Sequence, residues 1–324
     1  MKLLTFRTPD NATHAGVIRG NEVIELEYPS LLEWQRDPDG LARARQALED
    51  EGKEYHSEVP VQGEPEPRYG TARVKGGTGK SYPLNDITLL APIPEPPSIR
   101  DFYAFEQHVK KARALRGLGM IPEWYEVPIF YFTNPGEVYG TDQPIPYPEG
   151  SQELDIELEI ACVIGREGKN IPVEEADQYI AGYTIMNDWS ARDFQRRDMK
   201  LNLGPGKGKD FATSLGPWLV TPDELAQYRT GSGASERYNM PMVARVNGKE
   251  ISHGNFDQIY YSFPQMIAWA SQNARLRIGD VLGSGTVGTG CILELGIEIQ
   301  PWLQKGDVVE LEVEGLGVLR NRII

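Results

Sequence analysis

Residues 154–165, LDIELEIACVIG, alternate apolar and acidic positions. Leu154, Ile156, Leu158 and Ile160 point one way and Asp155, Glu157 and Glu159 the other, the period of two of a half-buried strand. Glu157 and Glu159 then sit roughly 7 Å apart on one face. Two bare carboxylates at that spacing repel by about 2 kcal/mol at an effective dielectric of about 20. Water screens that cost on an exposed face. A buried face needs a cation.

The same reading divides the rest of the chain. KLLTFR, HAGVIR and EVIEL are short strands turning at Gly20-Asn21, and residues 41–52 form a helix started by Asp37-Pro38-Asp39-Gly40. Residues 62–83, rich in Gly, Pro and Lys, read as an exposed loop or hairpin extension. LLAPIPEPP (89–97) holds four prolines, which continue neither a helix nor a central strand. The domain boundary falls there: 1–92 is a small N-terminal α+β domain and 93–324 a second, denser one. In the second, 101–117 has a helical period ended by Gly117 and Gly119, and 127–134 and 183–188 are strands. Residues 172–182 read as a helix opening on Pro172. A hairpin turns at Asn247-Gly248, a helix covers 264–273, and 279–285, 291–299 and 307–324 close the chain as strands. Many strands, few helices and Gly at the turns predict a β-rich α+β fold, a mixed β-sandwich or β-roll, and not a doubly wound parallel sheet.

Charge and cysteine usage narrow the function. A net charge of -14 over 324 residues repels phosphate backbones and anionic membranes, and an acidic substrate would need local cations. No basic stripe suggests a nucleic-acid role. No 18-residue apolar run predicts a membrane span, and MKLLTFRTPD does not read as a secretory signal. Cys162 and Cys291 make no disulfide framework, which suits a reducing cytoplasm with both as small core residues.

Two further acids change the reading of the acidic strand. Asp188 in MNDWSARDFQ follows a strand at the start of a helix, and Asp101 in IRDFYAFEQH follows the Pro-rich linker among aromatics. Each alone reads more readily as a helix cap than as a metal ligand. Together with Glu157 and Glu159 they would make a hard oxygen set suited to Mg²⁺, Mn²⁺ or Ca²⁺. Spacing alone leaves open whether they converge.

In this order, DFYAFEQH, LDIELEIACVIG, MNDWSARDFQ, GKGKDFATSLGPW and GSGTVG followed by ILELG resemble the fumarylacetoacetate hydrolase family over residues 98–324. The resemblance implies a catalytic β-roll and β-sandwich domain, a homodimer, and a divalent cation held by Asp101, Glu157, Glu159 and Asp188. It implies carbon–carbon bond chemistry on 1,3-diketo acids and related 2-oxo acids. Within the family, fumarylacetoacetases are the most similar, with His108 as base and Glu294 as its orienter. Lys209, helped by Gln195, would stabilise an alkoxide. Tyr103, Arg116, Tyr131, Arg192 and Thr286 would contact substrate, with Arg116 offering a fork to a carboxylate. The stretch RRDMKLNLGPGKG lacks the Tyr of fumarylacetoacetases, so metal site and reaction class carry over better than substrate.

Blander roles stand beside these. Tyr103 and Tyr131 could be core aromatics, and Arg192 could pair with Asp193 or another acid. Glu294 could share an exposed strand face with Glu298, Asp155 could be exposed at its strand's start, and Thr286 could serve a tight Gly turn. The expected activity is metal-dependent hydrolysis of a C–C bond in a 1,3-diketo acid. A hydratase, isomerase or decarboxylase of a 2-oxo acid would use the same site, and a non-catalytic metal-binding protein is the reading from another class.

Overall fold

A computed structural model describes residues 1–49 and 76–324. The expected loop at 62–83 and the end of the 41–52 helix lie largely outside the described residues. The N-terminal part is the antiparallel meander β1 (Lys2–Arg7), β2 (Thr13–Arg19) and β3 (Glu22–Glu25), with helices α1 (Leu31–Arg36) and α2 (Gly40–Glu49) and short strands β4 (Ser81–Pro83) and β5 (Thr88–Leu89). Arg19 pairs with Glu22 across the turn, and Gly20 takes φ +61° there, the left-handed conformation that two-residue hairpins require.

After the Pro-rich linker come β6 (Ile99–Phe102), α3 (Glu106–Ala114), β7 (Phe130–Thr133), β8 (Val138–Tyr139), β9 (Leu154–Asp155), β10 (Leu158–Ile164), β11 (Ile180–Asp188), β12 (Ser190–Ala191), α4 (Arg192–Met199) and β13 (Thr213–Val220). They are followed by β14 (Arg229–Thr230), β15 (Arg237–Tyr238), β16 (Pro241–Val246), β17 (Lys249–Asn255), α5 (Phe263–Ser271), β18 (Val281–Gly283), α6 (Ile292–Leu295), β19 (Val308–Val313) and β20 (Gly317–Arg322). The hairpin between β16 and β17 turns at Asn247 and Gly248, both at positive φ.

One mixed sheet runs β4-β3-β2-β1-β13-β11-β10-β18-β6-β7, and a second, antiparallel sheet runs β17-β16-β19-β20. The β-rich architecture with few helices is the one expected. Because β1 pairs with β13, the N-terminal meander extends the same sheet across the Pro-rich linker. Strand β10 sits near the centre, and its two faces part company. Leu158, Ile160, Cys162 and Ile164 pack in one core with Met242, Ala244, Val309 and Leu311 of the second sheet. Ala161 and Val163 face the other core, with Leu3, Ile93, Ile99, Met186 and Leu215. Both faces are therefore covered, and Glu159 is fully buried.

Four expectations are corrected. The 154–165 strand is broken between β9 and β10: Asp155 Oδ1 takes the Ile156 N–H at 2.7 Å and Asn187 Oδ1 takes the Glu157 N–H at 2.9 Å, so side chains replace the ladder partners. The helix expected over 172–182 is one 3₁₀ turn at Ala176–Tyr179, because Ile180 onward is recruited by β10. The helix expected over 101–117 spans only Glu106–Ala114, which leaves Asp101 on a strand. The strand expected over 291–299 begins instead as helix α6.

Candidate active site

Adjacent strands deliver Asp101, Glu159 and Asp188, and Glu157 comes from the break between β9 and β10. Glu159 on β10 lies opposite Met186 on β11, and Met186 and Asp188 share a strand face. On the other side of β10, Ala161 pairs with Gly283 of β18, and Gly283 pairs with Asp101 of β6. Gly283 makes the convergence possible. A Cβ there would stand 2.6 Å from Asp101 Oδ1 and 2.8 Å from Met186 Sδ, so only a glycine lets the Asp101 carboxylate lie across β18. One oxygen each from Asp101, Glu157, Glu159 and Asp188 falls within 4.8 Å of the others, and all four residues are buried.

Their partners fix them unequally. Glu159 accepts from the Gly285 N–H at 3.0 Å and the Thr286 hydroxyl at 3.4 Å. Glu157 is paired to Lys209 Nζ at 2.6 Å and an Arg192 nitrogen at 2.8 Å. Asp188 is paired to the same Lys209 Nζ at 2.7 Å and accepts from the Tyr131 hydroxyl. Asp101 Oδ1 and Asp188 Oδ1 are buried without a hydrogen-bond partner. Unpartnered buried oxygens are costly unless something fills the space between them. An all-oxygen donor set of this kind fits a hard divalent cation.

The electrostatics agree. Burial, then the charge of Asp188, raises Asp101 well above the usual carboxylate range, and burial with Asp101 and Glu157 does the same to Glu159. Asp188 is raised by burial against the pull of Lys209. Burial also pushes Glu157 up, but Lys209, Arg192 and His108 together outweigh it and hold that carboxyl below its ordinary range. Burial would lower Lys209, yet Asp188 and Glu157 keep it above its ordinary value and charged. Lys207, by contrast, is exposed and pairs with Asp210.

Beside the cluster, α3 presents His108 and α6 presents Glu294. His108 Nδ1 is hydrogen-bonded to Glu294 Oε1, and the Thr289 N–H donates to Glu294 Oε2 at 3.1 Å. A carboxylate on Nδ1 selects the Nδ1–H tautomer and leaves Nε2 as the basic nitrogen. Glu294 is therefore buried and paired, not on an exposed strand face with Glu298. The Tyr103 ring meets His108 edge-on, with centroids 5.2 Å apart. Burial pushes the Tyr103 hydroxyl up to about 12, against the opposing charge of Arg116. Arg116 itself lies exposed just past α3, its Nε donating to the Ala112 carbonyl at 3.2 Å.

Asp155 is the residue that sequence reasoning passed over. It is fully buried, not exposed. It accepts from the Ile292 and Leu293 N–H groups at 2.7 and 3.0 Å and pairs with Arg192 Nε at 2.8 Å. Its carboxylate caps the start of α6, which carries Glu294, while Arg192 passes the connection on to Glu157. Asp193 instead binds the Ser151 hydroxyl and the Gln152 N–H, so the acids that hold Arg192 are Asp155 and Glu157. Gln195 accepts from Arg192 at 2.9 Å. The only signal for Asp155 was its place in the acidic alternation. Nothing local marks Gly283.

The mixed β-rich fold thus holds a buried carboxylate cluster that could take a hard cation, beside a buried His–Glu pair. Residues 98–324 match the family described as fumarylacetoacetate (FAA) hydrolase, C-terminal, and the chain belongs to that family. It is 33% identical over 244 residues, 75% of this chain and 71% of the relative, to "Oxaloacetate tautomerase FAHD2A, mitochondrial" of Homo sapiens. The crystal structure of a 5-carboxymethyl-2-hydroxymuconate delta-isomerase from Mycobacterium smegmatis is similar with a TM-score of 0.68 at 26% identity, covering 100% of this chain and 99% of that one. A maleylpyruvate hydrolase from Sphingobium sp. SYK-6, in complex with manganese (II) ion and pyruvate, shares the fold with a TM-score of 0.67 at 20% identity, covering 100% of this chain and 99% of that one. The family is one of enzymes, with hydrolase, isomerase and tautomerase members. No helix among the described residues is long and apolar enough to cross a membrane.

Proposed function

We propose that the protein is a divalent-metal-dependent hydrolase that cleaves a C–C bond in a 1,3-diketo acid of the fumarylacetoacetate or acylpyruvate type. The observation that carries this reading is the buried His108–Glu294 pair beside the four-carboxylate cluster. Asp101, Glu157, Glu159 and Asp188 would hold the cation, Mg²⁺, Mn²⁺ or Ca²⁺. When bound, it would supply Lewis acidity toward the oxygens of a diketo acid. His108 Nε2 takes a proton from water, and Glu294 stabilises the imidazolium so formed. Lys209, charged and buried, donates to the oxygen that becomes an alkoxide, with Gln195 beside it. Tyr103, Tyr131 and Thr286 line the substrate, Arg192 steadies Glu157, and exposed Arg116 is the local cation that draws an acidic substrate into an acidic protein. We also propose a homodimer and, with two free buried cysteines, a cytoplasmic setting; the human relative is named mitochondrial.

A second reading is favoured by that relative's name, oxaloacetate tautomerase. His108 would then move a proton between carbon and oxygen of a 2-oxo acid, with no attack by water. The test is a panel of 1,3-diketo acids and oxaloacetate incubated with Mn²⁺-loaded protein in deuterated water, read by mass spectrometry. Two acid products mean hydrolysis. One product of unchanged skeleton, carrying solvent deuterium, means tautomerisation. His108→Ala is expected to abolish either, and full turnover in that variant would remove His108 as the base.

A further inference from the structure

The proposed chemistry leaves one buried nucleophile idle beside the base. Cys291 Sγ lies 3.7 Å from Glu294 Oε1, the same oxygen that His108 Nδ1 engages. One donor atom from each of His108, Cys291 and Glu294 falls within 4.8 Å of the others, and all three are buried. Two of the donors come from one short segment, with Cys291 at the N-cap of α6 and Glu294 in its first turn. The third arrives from α3.

This set differs in kind from the four carboxylates. Imidazole, thiol and carboxylate together suit a borderline-soft ion, and Zn²⁺ takes such ligands at about 2.0–2.3 Å. The edges of a tetrahedron with those bonds are roughly 3.3–3.8 Å, and the Sγ–Oε1 separation already has that length. The Thr289 N–H holds the other Glu294 oxygen, so the carboxylate is pre-oriented. We propose that His108, Cys291 and Glu294 form a Zn²⁺ site separate from the carboxylate cluster, through which Zn²⁺ inhibits the enzyme. On binding, Zn²⁺ takes Nδ1 of the neutral His108 imidazole, whose proton moves to Nε2 and so removes the basic nitrogen, and the Cys291 thiol proton is released to solvent. The fourth position goes to water. Burial pushes the Cys291 thiol up, but a coordinating metal deprotonates a thiol outright. The inhibition rests on His108 being the base, whereas the binding does not.

The test uses Co²⁺ as a spectroscopic stand-in for Zn²⁺. The protein saturated with Mg²⁺ is titrated with Co²⁺, and the near-ultraviolet thiolate-to-cobalt band is followed. The all-oxygen cluster cannot produce that band. The expected result is one band-forming Co²⁺ per chain, displaced by Zn²⁺, lost in Cys291→Ala and kept in Cys162→Ala. Cys291→Ala is also expected to keep its Mg²⁺-dependent turnover, to bind Zn²⁺ at least tenfold more weakly and to resist Zn²⁺ inhibition. Cys291→Ser serves the same purpose if the alanine variant does not fold. No band in the parent protein, or unchanged Zn²⁺ affinity in the Cys291 variant, would overturn the site. A band with full turnover retained would keep the site, overturn the inhibition and remove His108 as the base.

Discussion

Gly283→Ala is a one-carbon change with a calculable consequence. The new Cβ would stand 2.6 Å from Asp101 Oδ1, and 2.8 and 3.0 Å from the Sδ and Cε of Met186. The methionine can swing away. Asp101 cannot do so freely, because it sits on β6 paired to Gly283 itself. An ordinary carbon–oxygen contact is about 3.4 Å, so the oxygen must retreat by about 0.8 Å. Metal–ligand distances tolerate only about 0.2 Å, so Asp101 is pushed out of any coordination shell. Disturbing such a support typically costs about 10- to 100-fold in metal affinity, or about 1.4–2.7 kcal/mol. The assay is calorimetric titration of metal-stripped protein with Mn²⁺, alongside Gly119→Ala, where a Cβ meets nothing within 4 Å. The account predicts that Gly283→Ala loses affinity and the Gly119 control does not. A folded Gly283→Ala protein with unchanged Mn²⁺ affinity would show that Asp101 is not a ligand.

Two further predictions follow from the charges and contacts of the site. Asp155→Ala strips the acceptor from the Ile292 and Leu293 N–H groups and leaves Arg192 without one partner. Denaturant unfolding should show a loss of about 3–5 kcal/mol, the cost of breaking a buried pair, with Asp155→Asn in between; a loss under about 1 kcal/mol would refute the capping role. The raised Asp101 and Glu159 hold protons in the metal-free protein above the pH at which the unfolded chain releases them. Their contribution to stability is therefore fully present in acid and is lost as pH rises through the folded values. Metal binding must eject these protons. Mn²⁺ affinity should rise with pH across that window with net proton release, measured by calorimetry in buffers of different ionisation enthalpy, and a pH-independent affinity would contradict it.

How much of this was legible depends on how far apart the interacting residues are in sequence. The alternation of Leu158, Glu159, Ile160 and Ala161 reported a strand with two different faces, and the hairpin at Asn247-Gly248 carried its own turn chemistry. Convergence of Asp101 and Asp188 on Glu157 and Glu159 was not in the spacing, and only the ordered motifs suggested it. ILELGIEI has the period of a strand, yet its first turn is helical because Asp155, far away in sequence, caps the Ile292 and Leu293 N–H groups. Pro172 and the acids after it promise a helix, but pairing of Ile180–Asp188 with β10 outweighs that local preference. Gly283 was unreadable for the same reason: its importance is the Asp101 oxygen lying over it.

The most direct test of the central claim is an anomalous difference map from crystals soaked in Mn²⁺. The account predicts one strong peak per chain bounded by carboxylate oxygens of Asp101, Glu157, Glu159 and Asp188, with the Lys209 amine no longer bridging Glu157 and Asp188 as it does at 2.6 and 2.7 Å. No peak among those four residues at saturating Mn²⁺, or a peak only elsewhere, would contradict it.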